Sequence, residues 1–189
     1  MKKNYFKILL TSLIFLFSFP LSYANTITNT IQQSVDSFRQ YMQGEWQKSN
    51  TTDFYLPMWT WHNTHAYTTK LLKSYNDWPV GFGLGKSYLD EQGNFHGFYA
   101  MEFADSHHKI EPIVGYVFAK KIWGNTQSFN IKFGYTAFLT AREDYHYIPF
   151  PAALPVISFD YGKFSLSGTY IPGGHDNGNV AFFWGQYHF

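Results

Sequence analysis

The sequence predicts an all-β fold, an eight-stranded antiparallel transmembrane β-barrel with an N-terminal amphipathic α-helix. Three observations carry that expectation. Aromatic residues make up 22% of the chain and charged residues only 14%, yet the mean hydropathy is −0.27 and no run after the N-terminus is apolar enough to cross a bilayer as a helix. From Asp53 onward, apolar and polar residues alternate with period two, as on strands that face hydrocarbon on one side. Turn signals divide that region into eight segments.

The first element expected is a secretory signal peptide over residues 1–24. Lys2, Lys3 and Lys7 precede an apolar run from Ile8 to Leu21, and Ser22-Tyr23-Ala24 offers small residues for cleavage before Asn25. The apolar run is short for a spanning anchor. The mature domain is then 25–189 and exported. It has no cysteine, so something other than disulfides must stabilise it. A net charge of +1 implies no broad field for nucleic acid.

Residues 27–46 read as the helix. Ile27, Ile31, Val35, Phe38, Met42 and Trp46 recur at steps of three and four and form one apolar stripe. The helix is too polar to cross a membrane, so it lies on an interface or against the protein.

The barrel occupies about 53–189, with strands near 54–66, 79–89, 95–105, 110–121, 128–142, 147–160, 163–172 and 179–189. In the fifth, Phe129, Ile131, Phe133, Tyr135, Ala137, Leu139 and Ala141 share one face, opposite Asn130, Lys132, Gly134, Thr136 and Thr140. The last strand, "FFWGQYHF", ends on Phe189, which resembles the C-terminal signature of bacterial outer-membrane barrels.

An even strand count leaves both ends on one side. If that side is periplasmic, odd strands run outward. His62, Asp105, Ser106, Arg142 and His175, distant in sequence, then gather at the external mouth. Asp105 and Ser106 also suit a polar turn, because their side chains bond nearby backbone N–H groups.

Strands four and six are apolar on both faces. With Val114, Tyr116 and Phe118 toward lipid, Ile113, Gly115, Val117 and Ala119 face inward. The lumen is then either a packed interior or a slot for a hydrocarbon chain. Proline cannot donate to a ladder. Pro155 and Pro172 between strands six and seven, and Pro57 and Pro79 between strands one and two, either open the wall sideways or merely sit at strand ends.

Other patterns carry less. "GFGLGKS" has Val80 where a phosphate-binding loop requires glycine. His62, His65, His107 and His108 lack a metal-site spacing, so no metal or other cofactor is expected. Adjacent Asp105 and Ser106 do not easily flank a histidine in the usual relay order.

Taken together, "TWH" (60–62), "GFGL" (81–84), "DEQGNFHGFYAMEFADS" (90–106), "EPIVGY" (111–116), "TARE" (140–143), "YIPFP" (147–151), "TYIPGG" and "NGNV" resemble the PagP family of outer-membrane lipid A palmitoyltransferases, over nearly the whole mature chain. The resemblance implies transfer of an acyl chain from the sn-1 position of a glycerophospholipid to the hydroxyl of the N-linked hydroxyacyl chain on the proximal glucosamine of lipid A. Non-enzymatic small barrels and phospholipases are the competing classes. The resemblance also implies that His62, Asp105 and Ser106 are catalytic. His62 would be the general base, Asp105 would orient it or share the proton, and Ser106 would be an oxyanion donor or a transient nucleophile. Three positions depart from the family pattern. Val117 stands where a glycine floors the acyl slot. Leu71, beside Lys70, stands where a lysine recognises lipopolysaccharide. His175 replaces a gating tyrosine. The bilayer, the donor phospholipid and the lipid A acceptor are the partners implied, and a monomer and a homodimer both stay open.

Overall fold

Eight strands follow one another around a closed barrel in chain order, and the last returns to the first. They are β1 (Thr51–His62), β2 (Gly81–Leu89), β3 (Phe95–Ala104), β4 (Ile110–Gly124), β5 (Phe129–Thr140), β6 (Phe150–Tyr161), β7 (Phe164–Ile171) and β8 (Val180–His188). Every neighbouring pair is antiparallel, including β1 with β8. The computed structural model describes residues 21–189, so the expected signal segment 1–24 lies, as far as residue 20, outside the described residues. Among the described residues no helix is long and apolar enough to cross a membrane.

Alternation explains which side chains meet lipid. On β5, Phe129, Phe133, Tyr135 and Leu139 are exposed, while Asn130, Lys132, Thr136 and Thr140 are buried. Exposed Leu56, Trp59, Phe82, Leu84, Ile157, Phe159 and Leu166 extend this outer apolar surface to other strands. A water-facing protein would not keep so much apolar area uncovered, whereas bilayer hydrocarbon requires it.

Strand ends differ from the predicted ones where a turn intervenes. The first strand stops at His62 rather than 66, because the Asn63 side chain accepts the amide of His65 and the Asn63 amide donates to the Asn179 carbonyl. The sixth starts at Phe150 rather than 147. A 3₁₀ turn (Glu143–Tyr145) and left-handed backbone at His146 and Tyr147 precede it.

Helix α1 runs Leu21–Lys48. Its residues through Gly44 form a unit apart from Glu45–Phe189, with Ile27, Ile31, Val35 and Phe38 exposed as a stripe. The last turn belongs with the barrel. Glu45 accepts from Tyr88, sits 2.8 Å from His96 Nδ1, and pairs with Lys48 at 3.0 Å. Burial pushes its carboxyl up, but the bonds from Tyr88 and Lys48 and the nearby His96 outweigh burial and hold it below the usual range. This corrects one expectation. Val114 is exposed, but Tyr116, on the same outer face, is buried. Its ring packs on Phe98 and its hydroxyl bonds His96, beneath the end of the helix, so protein rather than lipid covers it.

Two ladders are incomplete. β1 pairs with β2 only from Thr51↔Ser87 to Tyr55↔Gly83. β6 pairs with β7 only from Val156↔Thr169 to Tyr161↔Phe164. Pro57 lies just past the first break, and Pro155 just past the second, where its carbonyl accepts the Thr169 hydroxyl at 2.7 Å. Both gaps open toward the end of the barrel that carries His62.

Candidate active site

His62 reaches the lumen through a bulge. Asp53, Tyr55 and Pro57 point inward on β1, and strict alternation would turn His62 out toward lipid. The pairing with β8 slips between Pro57 (opposite Trp184) and Trp59 (opposite Phe183). Met58 is the extra residue, and it resets the phase so that Thr60 and His62 face inward, 6% and 5% exposed. Bulges re-aim side chains in this way.

Asp105 and Ser106 begin the β3–β4 turn. Asp105 Oδ1 accepts the amides of His107 and Lys109, both at 2.8 Å. His108 takes left-handed backbone to close the loop. The carboxylate is therefore the organiser of a polar turn. Its other oxygen lies 3.6 Å from Arg142, which also reaches Asp144 (3.1 Å) and Glu111 (3.4 Å). The turn presents Ser106, whose hydroxyl meets His62 Nε2 at 2.9 Å.

The carboxylate on the other imidazole nitrogen is one the sequence reading missed. Asp77 Oδ1 stands 3.0 Å from His62 Nδ1. Asp105, expected to orient His62, has its oxygens engaged by the turn and by Arg142 instead. Tyr75 stacks on the His62 ring (centroids 4.8 Å apart, planes at 29°), and Tyr67 meets it edge-on at 5.5 Å. Burial pushes both phenols up from their usual value, so they stay neutral beside the imidazole. An acid fifteen residues beyond His62, outside any strand, leaves no periodic signal. Only proximity in space marks it.

Below this pair a cavity of about 500 Å³ runs into the barrel, within the roughly 300–1,000 Å³ of small-molecule sites. Its upper wall is apolar, with Met101, Phe103, Ile113, Phe138, Leu154 and Phe182. Val117 and Ala119 lie deeper and are buried, as is Phe95. Any Cβ added at Gly97 would meet the Phe95 ring at 2.7 Å and Val117 Cγ1 at 3.2 Å, so these groups close tightly on one another. Beyond them the lumen turns polar. Lys132 pairs with Asp160, Asp160 accepts from Ser158, and Ser158 accepts from Ser167. The Lys132 ammonium also lies 5.8 Å from the Phe95 ring centre. Apolar wall above and ion pair below make a slot that is hydrocarbon-like only in its upper part.

The remaining predicted positions fall as follows. Pro79 and Pro172 line the cavity, as do Arg142 and Val117. Pro57 and Pro155 mark the ladder breaks. Lys70 and Leu71 belong to a one-turn helix, α2 (Thr69–Leu72), outside the cavity lining. His175 is exposed and pairs with Asp176 at 3.1 Å. It does not line the cavity, whereas Asp176 beside it does. His62, His65, His107 and His108 do not gather as metal ligands among the described residues. Asp105, His107 and Asp144 approach one another, but Arg142 already serves both acids.

The chain matches the family described as "Antimicrobial peptide resistance and lipid A acylation protein PagP" over residues 41–186. It is 46% identical over 150 residues to the "Lipid A acyltransferase PagP" of Laribacter hongkongensis, covering 76% of this chain and 72% of that protein. It is 42% identical over 175 residues to the "Lipid A acyltransferase PagP" of Pantoea ananatis, covering 92% and 91%. The "Lipid A palmitoyltransferase PagP" of Escherichia coli O6:K15:H31 is 42% identical over 159 residues, covering 81% and 83%. Because the family match runs from the last turns of α1 through almost all of β8, the chain belongs to the PagP family.

Proposed function

We propose that this protein is a lipid A acyltransferase of the bacterial outer membrane. It moves a fatty acyl chain from the sn-1 position of a glycerophospholipid to the hydroxyl of the N-linked hydroxyacyl chain on the proximal glucosamine of lipid A. One observation carries the reading: in a chain of this family, a hydrogen-bonded His62–Ser106 pair stands at the mouth of an apolar slot inside a closed barrel. The mouth faces the cell exterior, where lipid A lies. A purely structural barrel has no use for such a pair above a cavity whose upper part is hydrocarbon-like.

The Ser106–Nε2 contact favours Ser106 as a transient nucleophile. Its Oγ attacks the ester carbonyl while its proton passes to His62 Nε2. The C–O bond to glycerol breaks, and the glycerol oxygen takes that proton, leaving a lysophospholipid and an acyl-Ser106 ester. The lipid A hydroxyl then gives its proton to His62 and attacks the ester, and Ser106 recovers the proton. Charge on the carbonyl oxygen builds in both halves. Arg142 lines the same cavity, but its charge is taken up by Asp105, Asp144 and Glu111. Asp105 thus supports catalysis through the turn that presents Ser106.

The test uses purified barrel in detergent with phospholipid labelled in the sn-1 chain. Label should move to lipid A when lipid A is present. Release of free fatty acid at the same rate with and without lipid A would make the protein a phospholipase, and no turnover at all would leave a structural barrel. Lipids enter sideways through the two ladder breaks. In the same assay, cysteine pairs oxidised across the β1–β2 and β6–β7 gaps should block transfer, and reduction should restore it. Full activity in crosslinked protein would place the route elsewhere.

Val117 sets the length of the chain. A saturated chain in the slot ends where a side chain blocks it, and each buried methylene contributes about 0.8 kcal/mol. Val117→Gly should shift the transferred chain longer by a carbon or more, read by mass spectrometry of the modified lipid A. An unchanged chain-length profile would remove Val117 as the stop.

A further inference from the structure

We infer that the segment Tyr75–Asn76–Asp77, between α2 and β2, holds the His62–Ser106 pair in its working geometry, with Asp77 as the positioning residue for the imidazole. The inference rests on the acyl-transfer reading and adds to it a part that the resemblance did not supply.

Three contacts from consecutive residues converge on the pair. Asp77 Oδ1 lies 3.0 Å from His62 Nδ1. An ionised carboxylate can only accept, so Nδ1 carries the proton and Nε2 keeps its lone pair. That lone pair meets the Ser106 hydroxyl at 2.9 Å, so the hydroxyl donates and His62 stands ready to take its proton. Tyr75 covers one face of the same ring and stops it rotating.

The backbone fixes the segment to both strands that matter. The Thr60 amide donates to the Asp77 carbonyl at 2.9 Å, and the Asn76 amide donates to the Ser106 carbonyl at 2.9 Å. Thr60 lies on β1 past the point where the β1–β2 ladder ends. The segment therefore ties His62's strand to Ser106's turn where regular pairing is missing. The Asn76 side chain bonds the Trp78 amide and carbonyl, which stiffens the link.

The division of labour between the two acids follows from what each oxygen already holds. Asp105 is almost fully buried and serves two turn amides and Arg142. Asp77 is 52% exposed on its side chain, stays hydrated, and has an oxygen aimed at His62. When His62 becomes an imidazolium in each half-reaction, Asp77 faces that charge directly. Groups that orient a catalytic histidine in this way change its tautomer and the rate when altered.

The full barrel carrying Asp77→Asn, Asp77→Glu or Asp77→Ala, folded in detergent, tests the inference. Asn offers Nδ1 an amide instead of a carboxylate, so kcat for acyl transfer to lipid A should fall about 10–100-fold, with KM for the phospholipid within about twofold of wild type. Glu should recover most of the rate, and Ala should not. The imidazole Nδ1–H proton resonance of His62 should shift or vanish in Asp77→Asn while the backbone spectrum persists. Wild-type kcat in Asp77→Asn overturns the inference. So does a loss that merely follows the unfolded fraction, with the folded remainder fully active. An active wild type beside an unaffected Asp77→Asn removes Asp77 alone, whereas a wild type that transfers nothing removes the acyl-transfer reading with it.

Discussion

Ser106→Ala and His62→Ala should each lower acyl transfer by about 10³-fold or more while the barrel still folds and inserts, because in the proposed mechanism the two groups act as one unit and removing either removes the proton path. Neither side chain fills a packed core. Both line a cavity that already holds open space, so the stability change should be about 1 kcal/mol or less. Combining the two substitutions should cost little more than either alone, as expected of a unit. Asp105→Ala acts by another route. It deprives the His107 and Lys109 amides of their acceptor and Arg142 of a partner, so the turn that presents Ser106 loosens. Asp105→Asn, which keeps an acceptor oxygen for the turn, should therefore retain more activity than Asp105→Ala. Initial rates with labelled phospholipid, alongside the heat-dependent gel mobility of the folded barrel, decide the matter. Near-normal transfer by folded Ser106→Ala would end its role as nucleophile.

The second large effect is on stability. Lys132 and Asp160 are 5% exposed each, deep in the lumen, and each compensates the other's charge. Lys132→Met leaves Asp160 an uncompensated buried carboxylate, a change that costs about 3–5 kcal/mol. Asp160→Ala strands the ammonium beside the Phe95 ring without its counter-charge, and should cost a similar amount. The double variant Lys132→Met/Asp160→Ala removes both charges and should be more stable than either single variant. Guanidinium unfolding in detergent micelles, followed by tryptophan fluorescence, gives all four corners of the cycle. Simple addition of the two single losses would mean that the pair is not coupled.

The pair also shows how far alternation carries. Lys132 was legible as inward from its place opposite Phe133 and Ile131. Its partner was not, because nothing local in β6 announces that Asp160 meets a residue twenty-eight positions earlier. Long-range pairing depends on register, and register is a property of the closed sheet rather than of either strand.

Composition, the period-two pattern and the turn residues were enough to determine the strand number, the outer apolar surface and the helix, since each depends on neighbours a few positions apart. The motifs around His62, Asp105 and Ser106 were likewise plain in the sequence. Only the tertiary structure decided how those groups connect. The Met58 bulge turns His62 into the lumen, and a bulge appears only against its partner strand, here β8. The two short ladders appear only when strand lengths are compared across the closed barrel. Asp77 stands on His62 because the loop before β2 folds back onto β1 and onto the β3–β4 turn. A one-dimensional pattern reports which face a residue takes within its own strand. Which groups from different strands converge depends on the closing of the barrel, and at this site that closing sets Asp77, rather than Asp105, against His62 Nδ1.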